Sequence, residues 1–274
     1  MRRGRGPRNP SDVKGGRKVP EANEYPLKPV TVADDLTFGD LVDALRSGWR
    51  DFLAYPSFGM AGAGIFAVSG LLLAYLLLNE GDILWLATVT FGFPLIAPFA
   101  AVVLYEVSRR RGAGLPVGWR SALAAIRGRG DEQLLSMGLL IFVAFGFWVI
   151  VAHGVFAVFM AEMDGGPDPL AIVSSPVGIA MIVVGTILGG AIALAFYAVT
   201  VVSLPMLVDR EVDVLTAIIT SLRAFRNNSV VLIVWACLIG GLLLMAMLPL
   251  FLGLLIVLPT LGHATWHLYT RIVS

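Results

Sequence analysis

All 20 Lys and Arg residues of this chain fall outside its long apolar stretches. They lie between Arg2 and Arg50, then between Arg109 and Arg129, then between Arg210 and Arg226, and last at Arg271. The apolar blocks between these basic groups are long enough to cross a bilayer and return. The charged residues in the turns on the far side are Glu80, Asp82, Glu162, Asp164 and Asp168, all acidic. A soluble fold spreads both signs of charge over its whole surface. Charge sorted in this way points to a chain that threads a membrane.

Composition gives the reason. The 274 residues are 57% hydrophobic and 14% charged, with a mean hydropathy of +0.83. Soluble domains hold roughly 45–50% apolar and about 25% charged residues. A chain this poor in charge has too little polar surface to cover itself in water, so lipid must serve as the solvent for much of it. The formal net charge of +1 conceals the asymmetry. Cys237 is the single cysteine, which excludes an intrachain disulfide and a cysteine-based metal site. It is expected to pack as a small hydrophobe. Residues 1–30 form a basic tail rich in Gly and Pro, expected to be disordered because it buries little apolar surface. It has no apolar core of the kind that marks a cleaved signal peptide.

Residues 31–274 read as a membrane domain. A spanning helix needs about 20 mostly apolar residues at about 1.5 Å each. Blocks 57–78, 83–107, 137–160 and 177–208 meet that need. The last block, Val230–Tyr269, would be roughly 60 Å long as one helix, about twice the hydrocarbon thickness. It is therefore read as two spans, 230–247 and 250–269, divided near Met247-Leu248-Pro249, because proline cannot continue the helical ladder without a kink. The expected fold is an all-α polytopic membrane helix bundle of six spans with cytoplasmic amphipathic interfacial helices. Basic loops favour the cytoplasmic side, so both termini are expected there.

Each basic segment carries an apolar residue followed by Arg before a span pair: Leu45-Arg46, Ile126-Arg127 and Leu222-Arg223. Three units, each an interfacial helix and a two-span hairpin, account for this. In the first, Phe38, Leu41, Val42, Leu45, Trp49, Phe52 and Leu53 fall at helical spacing, and Thr37 to Asp40 resembles a capping box. Leu215, Ile218, Ile219, Leu222 and Phe225 repeat the pattern in the third. Such helices suit the headgroup layer of a bilayer, with anionic lipid at the cytoplasmic face as partner. Nucleic acid is not expected as a partner, since the membrane surface is the nearer polyanion.

Chemistry has few candidates. The histidines are His153, His263 and His267. His263 and His267, four apart, share a helix face and are the candidate metal ligands. They also fit an aromatic belt beside Trp266 and Tyr269. His153 and His263 differ in expected depth by about 10 Å, which makes them a poor axial pair for one haem. No cofactor is expected on balance, with haem or a transition metal the alternative. Pro94 and Pro98 should kink the second span, and broken helices can line a binding site. Pro205 and Pro259 are expected to break the fourth and sixth spans near their inner ends. Tyr105, Glu106, Asp209, His263 and His267 are expected at similar depth. With the two prolines they form the candidate ligand cavity. The small pairs Gly185/Gly189, Gly59/Ala63 and Ala236/Gly240 allow close helix approach. Phosphate-loop, nucleophile-elbow and zinc motifs are absent, so no catalytic residue is assigned. The expectation is a membrane protein that binds or moves a small or lipidic ligand. The alternatives are an accessory subunit of a respiratory or photosynthetic membrane complex, or a homo-oligomer, and a haem- or metal-binding membrane oxidoreductase.

Four segments carry a resemblance. They are Ala97-Pro98-Phe99-Ala100 leading to Tyr105-Glu106-Val107-Ser108-Arg109-Arg110, Leu204 to Arg210, Leu222-Arg223-Ala224, and Gly262-His263-Ala264-Thr265-Trp266-His267-Leu268-Tyr269. From about Val32 onward the chain resembles the predicted integral membrane proteins grouped as the domain of unknown function 2189 family. The resemblance implies a multi-span protein of the bacterial cytoplasmic (inner) membrane. It brings no established activity.

Overall fold

The computed structural model describes residues 30–79, 100–127, 133–161 and 174–274. Residues 1–29 of the basic tail, Pro94, Pro98 and the acidic turn residues Glu80, Asp82, Glu162, Asp164 and Asp168 lie outside them. The chain divides into two units, Met1–Thr31 and Val32–Ser274, and every element below belongs to the second. The described residues are helical, with one isolated antiparallel bridge, Val32 to Val273. In chain order the helices are α1 (Phe38–Ala54), α2 (Pro56–Asn79), α3 (100–112), α4 (Trp119–Ala124, continued by a 3-10 turn), α5 (Gln133–Met160) and α6 (Pro176–Thr200). They are followed by α7 (Ser203–Asp209), α8 (Val214–Asn227), α9 (Ser229–Met247) and α10 (Leu254–Ile272).

By length and composition, three helical stretches among the described residues can cross a membrane: Gln133–Met160, Pro176–Asp209 and Ser229–Met247. A fourth arises if α1 and the start of α2, bent by 98° at their junction, act as one broken span. The most apolar stretch of Pro176–Asp209 has no buried residue. Surface of that kind requires an apolar surrounding, since exposing it to water costs about 25 cal/mol per Å².

Local sequence explains the helix ends. Thr37 caps α1: its Oγ1 accepts from the Asp40 N–H at 3.3 Å, and the Thr37 N–H donates to Asp40 Oδ2 at 2.8 Å, closing a capping box. Asp213 accepts from the Thr216 N–H at 2.9 Å to cap α8. Ser175 caps α6, whose first residue is Pro176. Helix α9 ends at Met247, and the chain turns through Leu250 and Phe251, both left-handed (φ 52° and 63°). Phe251 packs on Gly70 of α2 and holds that turn.

Helix α10 is the hub. It packs against α1, α2, α7 and α9 and meets α3 through Gly262 and Leu104. Helix α1 lies along it with Leu41, Ala44, Gly48, Asp51 and Phe52 buried. A Cβ at Gly48 would stand 2.5 Å from the Ala264 nitrogen and 2.6 Å from the Thr260 carbonyl oxygen, so the two backbones cross in contact there. The apolar positions of α1 therefore divide into two faces. Leu41 and Phe52 are buried, while Phe38, Val42, Trp49 and Leu53 face outward. The outward stripe matches a helix lying in an apolar interface.

Three expectations need correction. Pro259 does not break its helix. It sits inside α10, six residues into Leu254–Ile272, with its ring against Gly59 of α2. It removes one ladder donor, a loss one helix turn absorbs when neighbours pack against it. Near Pro205 the break falls earlier, between α6 and α7 at Val201 and Val202, and Pro205 lies within α7. Cys237 is exposed on α9 rather than packed inside.

Hydrogen bonds gather the charged segments at one end of the bundle. The Leu36 N–H donates to Asn228 Oδ1 at 3.1 Å, and Asn228 Nδ2 donates to the Ala33 carbonyl at 2.7 Å. Arg271 pairs with Asp35 and Asp40, each at 3.0 Å. The Val214 N–H donates to Gln133 Oε1 at 3.0 Å.

Candidate functional site

At that charged end, α1, α3 and α10 bury a chain of polar side chains. Asp51, Ser108 and His263 are 3%, 1% and 0% exposed. Ser108 Oγ donates to Asp51 Oδ2 at 2.5 Å and lies 2.7 Å from His263 Nδ1. His267 Nε2 meets the same Asp51 oxygen at 2.8 Å, and Arg111 pairs with Asp51 Oδ1. Burial opposes ionisation of Asp51. The hydrogen bonds from His267, Ser108 and Arg111 outweigh it and hold the carboxyl below its ordinary range. His263 Nε2 is buried and has no hydrogen-bond partner among the described residues.

The helix register builds this group. Asp51 follows Leu41, Ala44 and Gly48 at steps of three and four, so it projects from the face of α1 that meets α10. His263 and His267, one turn apart on α10, meet Ser108 and Asp51 respectively from the other side.

A second group stands beside it. Arg109 clamps the buried Glu106 through two bonds of 2.7 Å, from Nε to Oε2 and from Nη2 to Oε1, and Arg110 adds a contact at 3.4 Å. Tyr269 donates to Asp209 Oδ2 at 2.9 Å, and Arg210 lies 3.5 Å from the same oxygen. The rings of Tyr105, Trp266 and Tyr269 follow one another in tilted contacts with centroid separations of 6.4 and 5.4 Å.

The expected cluster of Tyr105, Glu106, Asp209, His263 and His267 is thus divided between two adjoining groups. Asp51, Ser108 and Arg111 are additions that sequence reasoning missed. For Asp51 the signal was present, a carboxylate in the apolar register of an amphipathic helix. His153 stays apart. It is exposed on α5 with Nδ1 2.9 Å from the Val149 carbonyl. Among the described residues no group of three or more His, Cys, Asp and Glu is arranged to hold a metal ion.

One helical turn beyond the polar chain lies a cavity of about 100 Å³ between α2, α3 and α10. Phe58, Gly62, Phe66, Ala100, Leu104 and Pro259 are among its walls. Leu104 is four residues before Ser108 and Pro259 four before His263, so the cavity and the polar chain share two helices. A second hollow of about 380 Å³ opens between α5 and α6, lined by Trp148, Val155, Met181, Gly185 and Gly189 among others.

No curated protein and no solved structure matches this chain. Residues 86–209, which include Ser108 and Arg111 but neither histidine of α10, match the family model DUF2189, predicted integral membrane protein.

Proposed function

We propose that this integral membrane protein crosses the bacterial cytoplasmic membrane six times, with both termini in the cytoplasm, and binds a small or lipidic ligand between α2, α3 and α10. The single observation that carries the ligand reading is the apolar cavity one helical turn from a buried polar chain on the same helices. Ligand sites combine a mostly apolar wall with a few placed polar groups, and this arrangement supplies both.

Three points support the six-span reading. Among the described residues, bonds of Asp51, Asn228 and Arg271 join basic segments at one end of the bundle, in keeping with the positive-inside rule. Helix α3 continues the second apolar block to residue 112. Helix α10 falls short of the apolarity of the other candidate spans, yet its 19 residues reach about 28 Å, close to the hydrocarbon thickness. Its polar residues His263 and Trp266 are buried against neighbouring helices, so they need no contact with lipid.

Mass spectrometry of the protein purified in nanodiscs tests the ligand reading. Gly62→Leu fills the cavity, because a Cβ there meets only the Ala100 side chain, at 3.4 Å. The wild type should carry a small bound molecule that Gly62→Leu loses at least tenfold. Equal retention by both, or no bound molecule in either, contradicts it. The bare surface of α6 favours a second reading, a subunit of a larger assembly. A stoichiometric protein partner in the same spectra supports that reading.

A further inference from the structure

We infer that the outward face of α8 binds a phospholipid of net negative charge, with Arg223 and Arg226 on its phosphate and Ile219 and Leu222 along its acyl chain. This face is separate from the cavity between α2, α3 and α10. It gives the anionic lipid expected at the basic side of the protein a place on one helix.

Helix α8 has two faces. Ala217, Thr220, Ser221 and Ala224 are buried. Ser221 fastens that inner face to the break between α6 and α7: its hydroxyl donates to the Ala198 carbonyl at 2.7 Å and accepts from the Val202 N–H at 3.2 Å. The outward face holds Leu215, Ile219 and Leu222, which are 66%, 49% and 44% exposed, followed by Arg223 and Arg226, also exposed. It is therefore apolar in its first turns and cationic in its last. An open hollow of about 320 Å³ spans the change, lined by Ile219, Leu222, Arg223 and Arg226. Chain continuity sets its depth. The candidate span Pro176–Asp209 ends just before α8, and Ser229–Met247 begins just after it. A helix so placed rests its exposed apolar residues at the boundary of headgroups and acyl chains.

Arg46, Arg109, Arg111, Arg210 and Arg271 each face a carboxylate. Among the described residues Arg223 and Arg226 face none, and residues 214–227 contain no Asp or Glu. Asp213 caps the opposite end of the helix, about 15 Å from Arg223 along the axis, and is engaged by Thr216. Arg50 and Arg120 also lack an acidic partner among the described residues, but α8 sets two such arginines on one face, three residues apart. Cationic side chains at headgroup depth attract anionic lipid, and each guanidinium offers a planar fork that fits phosphate oxygens. A free phosphate would use only the cationic end of the hollow. A phospholipid also covers Ile219 and Leu222, so it matches both ends.

Native mass spectrometry of the full chain in detergent tests this, with phosphatidylglycerol and phosphatidylcholine of equal chain length as probes. The wild type should bind its first phosphatidylglycerol about tenfold or more tighter than phosphatidylcholine. Arg223→Gln and Arg226→Gln should each weaken phosphatidylglycerol about fivefold, the worth of one arginine near an anionic surface, and leave phosphatidylcholine unchanged. Ile219→Gln should weaken phosphatidylglycerol as well. Arg46→Gln, which removes an arginine already held by Asp43, should change it less than about twofold. These side chains are exposed, so the variants should keep the wild-type Tm. Equal binding of the two lipids by the wild type overturns the inference. So does phosphatidylglycerol binding that survives the double variant Arg223→Gln/Arg226→Gln. Displacement of phosphatidylglycerol by an equal concentration of glycerol phosphate overturns the lipid as occupant. An acidic protein retained through these arginines in place of lipid overturns it too.

Discussion

Asp51 does the most of any single residue to order the charged end. It is 3% exposed and ties α1 to Ser108 and Arg111 of α3 and to His267 of α10. Asp51→Asn leaves those donors facing an amide. Arg111 keeps some water, which moderates the loss, so the variant should be less stable by about 2 kcal/mol in thermal unfolding at neutral pH. The carboxyl titrates below its ordinary range in the folded protein. Its contribution is therefore complete above the unfolded value of about 3.9 and disappears as pH falls through the lower folded value. The gap between wild type and Asp51→Asn should narrow below about pH 4. A gap that is constant from pH 7 to pH 3 refutes the ionised assignment. The register of α1 made Asp51 legible as an odd carboxylate in an apolar face. Its partners were not legible, because Ser108 and His267 lie 57 and 216 residues away in sequence and only packing brings them together.

Between helices, close backbone approach decides the geometry. Helices in a membrane gain little from burying apolar groups against one another, so small residues at the crossing matter more. Gly48 is such a point, with the α10 backbone 2.5 Å from where a Cβ would stand. Gly48→Val should separate α1 from α10 and cost about 1–3 kcal/mol. Gly112→Ala, where a Cβ meets nothing within 4 Å, should change stability by less than about 0.5 kcal/mol. A thermal unfolding series in detergent compares them, and equal effects contradict the crossing. The sequence pattern identified the helix caps at Thr37 and the stop at Met247, because caps and length limits are local rules. It misread Pro259, because whether a proline breaks a helix depends on what packs on its ring, here Gly59 of α2. It also treated the apolar residues of α1 as one face, whereas only some of them, Leu41 and Phe52 included, are buried.

For the whole molecule, charge sorting and geometry converge. The basic segments that alternate with apolar blocks in sequence are joined at one end by the bonds of Asp51, Asn228 and Arg271. That end holds the buried polar chain, and the cavity lies one helical turn away along α3 and α10. The proposed six-span count carries the account, since an odd count would put the N-terminal segment and Arg271, which pairs with Asp35 and Asp40, on opposite faces. Labelling of single cysteines by a membrane-impermeant maleimide tests it most directly, in a Cys237→Ala background that removes the one native thiol. Asp164→Cys should label in intact cells, while Asp43→Cys and Arg223→Cys should label only after the membrane is permeabilised. Labelling of Asp43→Cys or Arg223→Cys in intact cells, or protection of Asp164→Cys, contradicts the account.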